Sequence, residues 1–145
     1  MRVVLQVVDS AKVECEGFES NSIDKGYLLL VGVGKEDTVE KAKELALKIS
    51  KLRVFKDENG KTNLNIFAVE GKILSISQFT LYANTNGGNR PDFLNAAPRD
   101  LAIELYEAFN NELRGHGLEV KEGFFGEEMI VSLVNHGPFT LVLEA

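Results

Sequence analysis

Hydroxyl and carboxamide side chains gather in one short stretch, Ser77-Gln78-Phe79-Thr80. A serine or threonine hydroxyl becomes a nucleophile only when a base takes its proton. The chain offers two histidines, His116 and His136. His116 lies between two glycines after a helical stretch and reads as a surface residue. His136 belongs to a second segment, Asn135-His-Gly-Pro-Phe-Thr140, and would serve as the base if the two segments meet in space. A solvent-facing or hydrogen-bonded histidine is the commoner role. A single cysteine, Cys15, and the lack of a histidine pair at ligand spacing argue against a zinc site. There is no Walker loop, and Gly32-Val-Gly34 and Gly123-Phe-Phe-Gly126 are too short to be nucleotide fingerprints.

The elements must position these segments. Ser77 falls inside the longest strand-like run, Ile73 to Ala83. Leu74 and Ile76 share one face of it, whereas Phe79 and Leu81 share the other. The buried face therefore swaps near Ser77-Gln78, as at a bulge or where a strand leaves the core at a cleft mouth. The pattern fits equally a plain strand whose Ser and Thr face water. Pro138 cannot donate to a ladder, so its segment reads as a turn between two strands, Met129–Asn135 and Phe139–Glu144.

Around them, Arg2–Asp9 and Ala11–Glu16 read as an opening hairpin turning at Asp9-Ser10. Gly26–Gly34 is an apolar strand. A helix follows, capped by Asp37 with Glu40 as capping-box partner, its apolar stripe Ala42, Leu45, Ala46, Ile49 and Leu52. Arg53–Phe55 is a short strand, and Asn84–Pro91 a glycine- and asparagine-rich loop. Pro98 suits the first turn of a second helix, which Gly115 and Gly117 end. Leu118–Glu122 is a further strand. The class is α+β in one domain, residues 1–145, with a mostly antiparallel, barrel-like sheet and two main helices.

The net charge of −6 arises entirely in residues 73–145, where four basic residues meet ten acidic ones. An acidic chain is a poor prior for nucleic-acid binding. Lys41–Lys61 is locally basic, with seven Lys/Arg against three acids. Such a strip could dock one RNA end, although a solvated helix face explains it as well. The first residues lack the apolar block of a signal peptide, and no apolar run reaches the ~20 residues of a membrane span. With one cysteine, the expected location is cytoplasmic.

In order and spacing, Ser77-Gln-Phe-Thr-Leu-Tyr-Ala83, Asn89-Arg-Pro-Asp-Phe93, Gly123-Phe-Phe-Gly-Glu-Glu-Met129 and Asn135-His-Gly-Pro-Phe-Thr140 resemble the D-aminoacyl-tRNA deacylases. The likeness extends to Met1-Arg-Val-Val-Leu-Gln6 and covers essentially the whole chain. It implies a homodimer that hydrolyses D-aminoacyl-tRNA, and glycyl-tRNA mischarged on tRNA-Ala, without metal or organic cofactor. It implies a cis Gly137–Pro138 bond, inserted into the partner's site as a main-chain wall that rejects L-residues. Ser77, Gln78, Phe79 and Thr80 would form the catalytic segment, with the Phe79 and Thr80 amides as oxyanion donors. The tRNA's own 2′-hydroxyl is implied in the chemistry, with Thr80 as nucleophile the lesser alternative. Gln78, Phe125 and Met129 would line the adenosine pocket, and Asn135 would join the selectivity segment. Arg90, Lys51 and Arg53 are candidate tRNA contacts.

Two positions depart from the family's pattern. Val7 stands where many members carry an arginine that holds the Gly-Pro segment, so that clamp is absent or replaced. His136 stands where Asp is commoner. Two other readings remain open, an editing deacylase of relaxed chirality and a non-catalytic RNA-binding module.

Overall fold

The computed structural model describes all residues, Met1–Ala145. Its strands are β1 (Arg2–Glu14), β2 (Asn21–Ile23), β3 (Gly26–Gly32), β4 (Phe55–Lys56), β5 (Thr62–Leu64), β6 (Lys72–Ser77), β7 (Val120–Glu122) and β8 (Ile130–Glu144). The two α-helices are α1 (Val39–Lys51) and α2 (Arg99–Gly115). A 3-10 helix, Phe79–Tyr82, follows β6 directly.

The large sheet runs β2-β1-β3-β6-β7, with β8 on the other edge of β1. It is mixed rather than mostly antiparallel. β1 pairs antiparallel with β2, β3 and β8, but β3–β6 and β6–β7 are parallel. Each parallel pair is joined by a long crossover that contains one α-helix, α1 or α2. The sheet curls until β2 nears β7, where Asn21 Nδ2 donates to Glu122 O (2.7 Å) and Lys121 Nζ to Ser22 O (2.9 Å). The result is a nearly closed, barrel-like α+β fold.

Strand alternation sends side chains to two cores. Tyr27, Leu29, Val31 and Ile73 face the helices and pack with Ala46, Ile49, Phe109 and Leu113. Leu28, Leu74 and Ile76 face the inside of the curl and pack with Val8, Ala11 and Val13. β1 itself changes sides. Val3, Leu5 and Val7 belong to the helix-side core, whereas Val8, Ala11 and Val13 belong to the inner one. Irregularities in the β1–β8 register, between Gln6 and Val8 and between Val8 and Ser10, make that change. The expected hairpin at Asp9-Ser10 is therefore one bulged strand.

The cap of α1 also differs from expectation. Thr38 is the N-cap, its hydroxyl accepting from Lys41 N. The Asp37 carboxylate instead accepts from the Met1 amine (2.5 Å) and from Gly34 N (2.6 Å).

All three tyrosines hold their phenols protonated. Burial pushes Tyr82 up to about 12, helped by the Asp37 carboxylate, and pushes Tyr106 up to about 12. Burial raises Tyr27 further. An unfolded tyrosine titrates near pH ~10, so the folded chain binds more protons than the unfolded chain above that pH. This contribution to stability is complete below pH ~10 and is lost as pH rises through about 12. In an alkaline titration, tyrosinate absorbance is expected to stay flat past pH ~10 and to rise together with unfolding. A tyrosinate step near pH 10 in still-folded protein would contradict these environments.

Candidate active site

β6 ends at Ser77, and the chain tightens at once into the 3-10 turn. Ile73 to Ala83 is thus not one strand, and the change of apolar phase at Ser77-Gln78 marks the strand's end. Gln78 N donates to Val31 O (2.8 Å), the last tie to β3. Leu81 N then donates to Gln78 O (3.3 Å) and Ala83 N to Thr80 O (3.1 Å). The amides of Phe79 and Thr80 donate to nothing in the chain, as expected at the start of a helical turn.

The turn is held from behind. Arg2 Nη1 donates to Leu81 O (2.7 Å), and the Arg2 guanidinium lies 4.8 Å from the Tyr82 ring centroid. Gly32 and Gly34 let the turn pack against β3. A Cβ on Gly32 would lie 3.0 Å from Leu81 Cβ, and one on Gly34 would lie 2.9 Å from the Tyr82 ring. The Gly-Val-Gly signal is therefore a packing requirement.

A cavity of about 590 Å³ opens beside the turn. Ser77, Gln78 and Phe79 line one side, and Phe125 and Met129 the other. Thr80 sits next to it, its hydroxyl accepting from Gln78 Nε2. No basic group touches that hydroxyl. From the Gly123-Phe-Phe-Gly126 segment, Phe125 and Gly126 line the cavity, while Gly123 lies against β6. Gly123 N donates to Ser75 O (2.9 Å), and Phe124 N donates to Met129 Sδ (3.2 Å). The wall is apolar and aromatic with a few polar groups, the composition that suits a nucleoside-sized ligand.

The Gly137-Pro138 segment lies elsewhere. Asn135 pairs opposite Val8 and Thr140 opposite Gln6, so four residues bulge out against Val7 alone. Proline never enters the ladder, and Met129–Asn135 and Phe139–Glu144 join into the single long β8. The Gly137–Pro138 peptide is cis. Asn135 staples the base of the bulge, donating to Val7 O (2.9 Å) and Phe139 O (3.2 Å). His136 Nδ1 lies 2.8 Å from Asp9 Oδ1. These contacts stand where the resemblance led one to expect an arginine at position 7. Gly137, Pro138 and His136 line a separate cavity of about 230 Å³ with Val7, Lys25 and Phe55. His136 is therefore not a base for Ser77 or Thr80 of its own chain.

Of the candidate tRNA contacts, Arg53 is engaged within the chain, donating to Asn63 O (2.8 Å) and to the Asn63 side chain. Lys51 ends α1 and Arg90 lies in the Asn84–Pro91 loop, both exposed. Three charged residues line the cavity without having been sequence candidates: Arg99, Glu127 and Glu128. No local signal singles out Arg99, which is one of four basic residues after position 72. Two others there, Arg114 and Lys121, are tied to Glu122 and Ser22 O.

A family model described as D-Tyr-tRNA(Tyr) deacylase matches residues 4–144. A D-aminoacyl-tRNA deacylase of Exiguobacterium sibiricum is 56% identical over 99% of both chains. One of Thermosipho africanus is 50% identical over 100% of this chain and 97% of that one. Among solved structures, one titled c-Myc DNA Unwinding Element Binding Protein superposes with a TM-score of 0.91. It is 38% identical and matches 100% of this chain and 99% of that one. The turn after β6, the cavity lining at Phe125–Met129 and the Gly137–Pro138 bulge thus sit in a chain matched from end to end, and that chain belongs to the D-Tyr-tRNA(Tyr) deacylase family.

Proposed function

We propose that this deacylase hydrolyses the ester between a D-amino acid, or glycine, and the terminal adenosine of tRNA, working as a pair of identical chains. Family membership makes it a hydrolase of aminoacyl-tRNA esters. The observation that carries the mechanism is the pair of unengaged amides, Phe79 N and Thr80 N, at the rim of a cavity fit for a nucleoside. Two convergent N–H groups stabilise the oxyanion that forms when water adds to the ester carbonyl. The carbon–oxygen bond to the ribose then breaks, and the departing ribose oxygen takes a proton. With no base at Thr80, the proton traffic falls to water and the neighbouring 2′-hydroxyl of the substrate.

Chiral selection follows from Gly137 and Pro138 of a second chain. They lie outside the Ser77 cavity of their own chain, which favours a partner's copy as the one that reaches it. β8 supports such pairing, because Ile130, Val134 and Val142 are exposed by 69%, 54% and 63%. An apolar face of that kind is what a second chain covers. A main-chain wall at the substrate's α-carbon admits hydrogen or a D-side chain and collides with an L-side chain.

The test is release of tyrosine from D-Tyr-tRNA and L-Tyr-tRNA with a chelator present. Release from the D-substrate alone is expected. Release from both would replace this reading with a deacylase of relaxed chirality, and release from neither with a non-catalytic RNA-binding module.

A further inference from the structure

Arg99, the first residue of α2, reaches the Ser77 cavity beside Phe125 and Gly126. Its guanidinium carbon lies 5.3 Å from the Phe125 ring centroid. It also crowds Gly126, where an added Cβ would lie 2.6 Å from Arg99 Nη1. Gly126 has φ +77°, so two constraints keep that position bare beside the guanidinium. Glu127 and Glu128 line the same cavity, yet no carboxylate lies within ion-pair distance of Arg99. Its donors form no hydrogen bond within the chain. The fold therefore holds a planar cation at a cavity wall and leaves its N–H groups unspent.

We propose that Arg99 binds the phosphodiester on the 5′ side of the terminal adenosine, an assignment that rests on the function proposed above. The acylated end of the substrate brings one cation, the α-ammonium, and one adjacent anion, that phosphate. A guanidinium fork matches a phosphate's paired oxygens. The cation–π contact with Phe125 holds the exposed guanidinium near the cavity before the substrate arrives, so less freedom is lost on binding. Arg99 is thus a substrate-binding residue, acting on affinity rather than on the chemical step.

The probe is a non-hydrolysable amide analogue of D-tyrosyl-adenosine, made with and without a 5′-phosphate. Its affinity for the full-length native chain and for Arg99→Gln and Arg99→Lys is measured by calorimetry. The phosphate is expected to tighten binding to the native chain about tenfold or more, as for a charge-assisted hydrogen bond. That gain is expected to vanish in Arg99→Gln and to return only in part in Arg99→Lys. On whole D-Tyr-tRNA, Arg99→Gln should raise KM more than it lowers kcat. An equal phosphate gain in native and Arg99→Gln chains would overturn the assignment while leaving the deacylase reading intact. Absence of D-Tyr-tRNA hydrolysis by the native chain, measured in parallel, would overturn both.

Discussion

Gly137→Ala is expected to lower kcat/KM on D-Tyr-tRNA about 100-fold while leaving the fold intact. The two halves of that result have separate causes. Within one chain, a Cβ built at Gly137 meets no atom within 4 Å. Its φ also lies outside the left-handed region that favours glycine. Nothing in its own chain asks for glycine there, so Tm should move by less than about 2–4 °C, the shift of about 1 kcal/mol in a chain this long. Under the proposed pairing, the residue faces the substrate's α-carbon in the partner's cavity. A methyl group there displaces the ester from the Phe79 and Thr80 amides, and a shift of about 1 Å suffices for a loss of that size. Steady-state kinetics and thermal unfolding on the same preparation check both halves. Undiminished kcat/KM in a stable Gly137→Ala chain would remove the main-chain wall from the mechanism.

What the sequence disclosed, and what it hid, follows one physical division. Local signals were legible. Pro98 and Gly117 bracket α2, the stripe from Ala42 to Leu52 gives α1, and the polar cluster at Ser77–Thr80 marks the cavity rim. Signals that mean one thing locally and another in the fold misled. Phe79 and Leu81 alternate as in a strand, yet two-residue spacing also occurs by chance in a four-residue turn. Pro138 announces a break, but β8 continues because the ladder skips four residues. The shift from Val3, Leu5 and Val7 to Val8, Ala11 and Val13 looks like two strands and is one bulged strand changing cores. Parallel pairing of β3 with β6 and of β6 with β7 has no local signature at all, since it is decided by where the crossovers return. Arg99 was hidden for the same reason. Only the fold brings the first turn of α2 to the wall formed by Phe125 and Gly126.

The second large effect is expected at the Thr80 amide and not at its side chain. Replacing the Phe79–Thr80 peptide bond by an ester removes one N–H while keeping both side chains. That change should cost 10²–10³-fold in kcat, roughly the loss for one oxyanion donor. Thr80→Ala keeps the amide and loses only a hydroxyl whose partner is the Gln78 carboxamide, so it should cost less than about tenfold. The reverse order, a severe alanine and a mild ester, would make Thr80 the nucleophile. The ester variant also exposes which chain supplies which part. Mixed with Gly137→Ala and allowed to exchange subunits, it forms hybrid pairs in which one cavity has an intact turn and faces an intact Gly137. Random pairing would restore roughly a quarter of the native sites from two nearly inactive preparations. If each chain carried its own Gly137 to its own turn, every cavity in the mixture would keep one defect and no activity would return.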